Sequence, residues 1–174
     1  VAMTGGGAFV LCTSVRAMRL LAERCARVIK QPVFVQGEAP KGTLLERFRL
    51  AHDAVLFATL SFWEGVDVQG DSLSVVVITK LPFGVPSDPI IAARSELYED
   101  SFNEYYLPES ILKFRQGFGR LIRSASDRGI VAIFDRRVLT KQYGKLFLES
   151  LPQCTARQGA AAGLAKMAGD WLGV

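Results

Sequence analysis

The sequence predicts an α/β domain with a mainly parallel sheet covered by helices on both faces. Short apolar runs alternate with amphipathic helical stretches along residues 8–150, and several of those runs are continuously apolar, as strands buried on both faces must be. Of the 174 residues, 49% are hydrophobic and 22% charged, with mean hydropathy +0.22, a composition that buries one substantial core and excludes disorder for the bulk of the chain. No apolar run approaches the roughly 18 residues that span a bilayer.

Residues 9–12 form a short apolar run. Thr13 and Ser14 follow as candidate N-caps, and Val15, Met18, Leu21, Cys25, Val28 and Ile29 then recur at helical spacing. Pro32 interrupts that pattern, Val33 to Val35 reads as a second strand, and Thr43-Leu-Leu-Glu46 matches a capping box opening a helix through about Ala51. Residues 54–60 and 73–79 are strand-like, and the acidic, glycine-containing stretch 64–70 between them is a loop. Ser87-Asp88-Pro89 places a cap and an N1 proline before a helix to about Glu99, and Pro108 precedes a helix from about Glu109 to Ile122. Residues 130–134 read as another buried strand, and a helix over 143–148 ends before Pro152. From Thr155 onward the composition shifts to Ala and Gly. Leu164, Met167, Ala168 and Trp171 make one apolar stripe there, weakened by Gly159, Gly163 and Gly169, and the tail is expected to be a helix packed on the domain.

The amino terminus, Val-Ala-Met-Thr-Gly-Gly-Gly, has neither an initiator Met nor the basic start of a secretory signal, so the chain is expected to be a piece of a longer one. Cys12, Cys25 and Cys154 are too few and too dispersed for a disulfide framework or a closed zinc site, which points to core thiols in a reducing cytoplasm. Lys plus Arg is 21 against 17 for Asp plus Glu. More telling than that mild excess is the clustering of Arg115, Arg120, Arg123, Arg128, Arg136 and Arg137, which suggests a localised anionic partner.

The most informative segment is Gln116-Gly-Phe-Gly-Arg120-Leu-Ile-Arg123. At about 100° per residue, Gln116, Arg120 and Arg123 fall on one face, opposite Ile111, Phe114, Phe118, Leu121 and Ile122. Gly117 and Gly119 each cost about 1 kcal/mol in a helix relative to Ala, and flank that face where a ligand would need close approach. Two guanidiniums beside an amide suit a phosphoryl group with several equatorial oxygens; two arginines alone would read as a solvated face. In Phe62-Trp-Glu-Gly-Val-Asp-Val-Gln-Gly70, after a predicted strand, Glu64 and Asp67 can accept from ribose hydroxyls or arginines and Gly65 gives backbone access; an ordinary turn with solvated carboxylates explains them equally well. Thr13 and Ser14 offer hydroxyls and free N–H groups at a helix start, suited to a nucleic-acid phosphate, although capping alone also accounts for them. His52 has no nucleophile signature around it and reads as structural.

A phosphate-binding loop of the form G-x-x-x-x-G-K-[ST] is missing, since the only Gly-Lys pair, Gly144-Lys145, is followed by Leu146. Val131-Ala-Ile-Phe-Asp135 imitates a Walker B strand, but Arg136 stands where a hydrolysing site usually has Glu. Phosphoryl-reading arginines without a phosphate cradle make sense if the cradle lies on another domain. The other class of protein these residues allow is a stand-alone, non-catalytic nucleotide- or nucleic-acid-binding module.

Cys12-Thr13-Ser14 after a strand, Phe62-Trp-Glu-Gly-Val-Asp-Val, Leu81-Pro-Phe, and Gln116-Gly-Phe-Gly-Arg-Leu-Ile-Arg with Asp127-Arg-Gly and Asp135-Arg-Arg resemble the DinG family of bacterial DNA helicases, relatives of XPD in helicase superfamily 2. The resemblance covers about residues 8–152. It implies a RecA-like three-layer α/β domain, the second motor domain over 1–152 with motifs IV, V and VI, followed by a C-terminal helical tail over 153–174. It further implies that Arg120, Arg123 and Gln116 act in catalysis, with Arg123 at the arginine-finger position. Glu64, Gly65 and Asp67 would couple the nucleotide cleft to DNA, and Thr13 and Ser14 would contact single-stranded DNA. Cys12 and Val15 stand where the family often has aromatic residues. The N-terminal motor domain would supply ATP and Mg²⁺ binding and, in many members, an iron–sulfur cluster. The implied setting is cytoplasmic, with no membrane partner, and the isolated chain would be inactive as an ATPase.

Overall fold

The computed structural model describes residues 7–59, 62, 73–119, 121 and 129–172. Among the described residues, five strands, β1 (Ala8–Cys12), β2 (Val33–Val35), β3 (Val55–Thr59), β4 (Val75–Ile78) and β5 (Ile130–Ile133), form one sheet in the order β2-β3-β1-β4-β5. Every neighbouring pair is parallel, as the continuously apolar runs require.

Alternation within β1 creates two apolar faces. Phe9 and Leu11 join a core with Leu56, Val76 and Ile78, whereas Ala8, Val10 and Cys12 join a second with Val55, Phe57 and Val75. Helix α1 (Val15–Ala26) covers the second face through Met18 and Ala22. On the first face lie α2 (Lys41–Ala51), through Leu44 and Phe48, and α4 (Leu107–Gly119), through Phe114. Phe147, from α6 (Gly144–Glu149), completes that layer. The result is the three-layer α/β fold expected from the sequence, with α3 (Pro89–Ser95), α5 (Arg137–Thr140) and α7 (Leu164–Leu172) filling out the chain.

Several boundaries differ from the sequence reading. Helix α1 closes at Ala26, with the Val28 and Ile29 N–H groups both donating to the Cys25 carbonyl; Pro32 disfavours helical backbone just before it, and Val28 is left 80% exposed. Thr43 is no cap: α2 starts two residues earlier, behind Pro40, without a side-chain cap. Asp88 caps α3 as expected, accepting from Ile90 and Ile91, but the helix stops at Ser95, short of Glu99. Pro108 lies inside the first turn of α4, preceded by a π-helical turn over Phe102–Tyr106 that closes with Leu107 N–H on Phe102 O. A proline has no N–H to give and is tolerated only where an intrahelical bond is absent, which makes this junction the place for an expanded turn. At the other end α4 stops at Gly119, and Leu121 N–H donates to Phe118 O, a tightened terminal turn. The tail does form a helix, α7, in which Leu164, Met167 and Ala168 are half-buried and Trp171 is 47% exposed.

Candidate nucleic-acid and nucleotide interface

In an all-parallel sheet the carboxyl ends of the strands share one edge, where ligands of such folds bind. Cys12 of β1 is registered against Thr59 of β3, and Leu11 against Ile78 of β4. Thr13-Ser14, Gln36, and the segment entered after Thr59 therefore leave the sheet side by side, and residues 79–83 and 134–137 leave beyond them.

Ser14 is the N-cap of α1, extended at φ −146° and ψ 148°, and its Oγ accepts the Ala17 N–H at 3.2 Å. Its proton stays available to an outside acceptor, and Ser14 is exposed while Thr13 is half-buried. No acidic side chain sits in this first turn, and the exposed Arg16 adds its charge to the positive end of the helix dipole. Arg16 was not singled out in the sequence; an arginine two residues after a cap was the available signal. Beneath this loop, Thr79 fixes the end of β1 by donating its hydroxyl and N–H to Leu11 O, at 2.8 and 3.1 Å. Cys12 is fully buried there, and burial raises its thiol pKa. Cys25 is half-buried, but Cys154 is exposed and so not a core thiol; it follows α6 in a segment whose residues 152–163 are all exposed.

Gln116 lies on the exposed side of α4, while Phe114, Gly117, Phe118 and Leu121 are buried behind it. The apolar back of the Gln116 helix is thus as the spacing predicts. A Cβ at Gly119 would meet no described atom within 4 Å. Arg120, Arg123, Glu64, Gly65 and Asp67 lie outside the described residues.

Asp135 ends β5 as a clasp. Its carboxylate accepts from Leu81 N–H at 2.8 Å and from the Arg137 N–H and guanidinium at 2.6 to 3.0 Å. Burial pushes the Asp135 carboxyl up, yet the hydrogen bonds from Arg137 and Leu81 outweigh it and hold the pKa at about 2. With both oxygens engaged, the Walker-B-like run is structural. Arg137 also lies 5.1 Å over the Phe83 ring, and Phe83 packs edge-on against Tyr143 and Phe147. The Leu81-Pro-Phe loop is thereby fixed to the first-face core.

Residues 1–154 match the family described as the helicase C-terminal domain. The chain belongs to that family. This helicase C-terminal domain is 50% identical over 151 residues to the ATP-dependent DNA helicase YoaA of Escherichia coli (strain K12), covering 84% of this chain and 24% of that protein. It is 38% identical over 156 residues to the ATP-dependent helicase DinG of Mycobacterium tuberculosis (strain ATCC 25618 / H37Rv), covering 87% of this chain and 24% of that one. Against the 3'-5' exonuclease DinG of Bacillus subtilis (strain 168) the identity is 47% over 122 residues, 68% of this chain and 13% of that one. The chain therefore spans about a quarter or less of these relatives. Among solved structures, XPD_APO matches with TM-score 0.62 at 24% identity, over 83% of this chain and 31% of that chain, a likeness in fold. Among the described residues no helix is long and apolar enough to cross a membrane.

Proposed function

We propose that this helicase C-terminal domain is the second motor half, residues 1–152 with a helical tail over 153–174, of a cytoplasmic ATP-dependent DNA helicase. The observation that carries the reading is the family match over residues 1–154, which takes in the entire parallel sheet and every strand end at its carboxyl edge. Thr13 and Ser14 hold a DNA phosphate, using the hydroxyls and the N–H groups at the start of α1. Gln116, Arg120 and Arg123 close an ATP cleft whose phosphate cradle and Mg²⁺ site belong to an N-terminal RecA-like domain. The arginines stabilise charge that develops on the γ-phosphoryl oxygens. Glu64, Gly65 and Asp67 link that cleft to the strand. Closure and opening of the two halves then step the protein along single-stranded DNA.

The test is single-turnover ATP hydrolysis by the full-length parent with saturating single-stranded DNA. Arg123→Ala is expected to lower the rate on the order of 10³-fold, the low end of arginine-finger effects, with a much smaller change in ATP affinity. Arg123→Lys rescues poorly, because an ammonium lacks the guanidinium fork, and Arg128→Ala controls for lost charge. Equal, small effects of Arg123→Ala and Arg128→Ala in folded protein would reduce Arg123 to surface charge.

A further inference from the structure

We propose that Gln36 is an additional DNA-backbone contact, its carboxamide aimed by Thr59 so that its N–H groups meet a phosphate oxygen; the inference rests on the DNA-motor reading above. The Gln36 Oε1 accepts both the Thr59 N–H at 2.7 Å and the Thr59 hydroxyl at 2.9 Å. Those two donors settle which end of the amide is oxygen, since an NH₂ group in that place would face a backbone donor. The Nε2 is therefore turned away from Thr59. It donates to no described residue, and among the described residues no buried side-chain nitrogen or oxygen lacks a partner, so this half of the half-buried side chain reaches solvent.

The backbone around Gln36 is fixed. Its N–H donates to Phe57 O at 2.9 Å, and it is the second residue of a turn in which Glu38 N–H returns to Val35 O at 3.1 Å. Gly37, the third residue of that turn, has φ +97°, the left-handed backbone that a type II turn needs there. The Glu38 carboxylate accepts the Val35 N–H from outside at 3.1 Å. A side chain on such a turn, with its oxygen doubly bonded, presents two donors with little rotamer entropy left to lose on binding.

Position supplies the ligand. Gln36 leaves β2, Thr59 ends β3, and Thr13 and Ser14 leave β1, three adjacent strands at the carboxyl edge. At the usual spacing of about 4.8 Å per strand, Gln36 lies about 10 Å from the Thr13-Ser14 site on one line across the edge. A single strand running along that line meets neutral donors at both ends. Two N–H groups without a formal charge suit a phosphate oxygen and hold it less tightly than a cation would, which lets the strand leave, as a translocating motor requires.

The experiment compares full-length wild type, Gln36→Glu and Gln36→Ala for affinity to an oligothymidine, with ATP binding and thermal unfolding alongside. Gln36→Glu keeps both acceptor functions toward Thr59 but replaces the donors by a negative charge. It is expected to weaken DNA binding about tenfold, the scale of one hydrogen bond to a charged group, with ATP affinity and unfolding temperature held. A residue that only positions Thr59 would tolerate Glu, so wild-type DNA affinity in that variant overturns the proposal. A scan with single neutral methylphosphonate linkages gives a second arm that does not need the Glu variant to fold. Wild type is expected to lose affinity at one linkage and Gln36→Ala to be insensitive there; identical scans overturn the proposal. A wild-type parent that binds no oligothymidine refutes instead the DNA-motor reading.

Discussion

At the residue scale, Asp135 shows how one buried carboxylate fixes a loop that the sequence presents only as Leu81-Pro-Phe. Its pKa of about 2 lies below the ordinary carboxylate value, so the Asp135 clasp contributes stability that is full above about pH 4 and lost as pH falls through about 2. The contribution is roughly 1–2 kcal/mol, discounted because the Arg137 side chain is 38% exposed to water. Urea unfolding of Asp135→Asn is expected to show that loss at pH 7 and a flatter dependence between pH 4 and 2.5 than wild type; parallel curves would mean the clasp is not what titrates. Gly144 makes a second residue-scale case. A Cβ there would lie 2.4 Å from Val138 O and 2.5 Å from Arg137 O, backbone atoms that cannot turn aside. Gly144→Ala is expected to cost about 1–3 kcal/mol, as overpacking does, read from the same unfolding curves. The glycine that fails as a phosphate loop is thus required by the approach of α6 to α5.

At the element scale, Ser14 caps α1 and, on the proposed function, also holds a DNA phosphate, and the two roles separate experimentally. As a cap, Ser14 is worth about 1 kcal/mol; as a phosphate ligand it changes DNA affinity. Ser14→Ala in the parent is expected to lower affinity for single-stranded DNA and the salt slope of binding by about 0.7 per lost phosphate contact, while nucleotide affinity stays put. Unaltered DNA affinity and DNA-stimulated hydrolysis would leave Ser14 as a cap only. Helix α4 shows what periodicity reveals and what it misses. Its buried back of Phe114 and Phe118 was legible from spacing, because burial against a sheet imposes a 3.6-residue stripe. Its start was not, because the π-helical turn over Phe102–Tyr106 depends on where the chain arrives from α3, and no hydrophobic repeat records that.

At the scale of the whole molecule, the proposed function puts the arginine face and the phosphate cradle on different halves, so the 1–174 chain purified alone is expected to hydrolyse ATP no faster than buffer. Malachite-green assay of released phosphate, with Mg²⁺ present, checks this; robust turnover that Arg123→Ala abolishes would contradict it. On that reading, the Ser14 hydroxyl proton and the Gln36 amide N–H groups at the carboxyl edge of the sheet are donors kept for a partner. An edge proposed to complete its contacts against a second domain and a strand of DNA leaves polar groups facing solvent in the single domain.

The sequence by itself determined the three-layer fold and the apolar back of the Gln116 helix, because continuously apolar strands and a 3.6-residue stripe follow from burial alone. Its motifs also carried the family resemblance that the match over residues 1–154 bears out. Only the tertiary structure decided that Asp135 serves Leu81 and Arg137, and that Gln36, 23 residues before Thr59 in the chain, is hydrogen-bonded to it across the sheet. The physical reason is the reach of each kind of signal. A hydrophobic period repeats within a few residues and is written along the chain, whereas a single hydrogen bond between strand ends repeats nowhere and exists only once strand order brings its partners together.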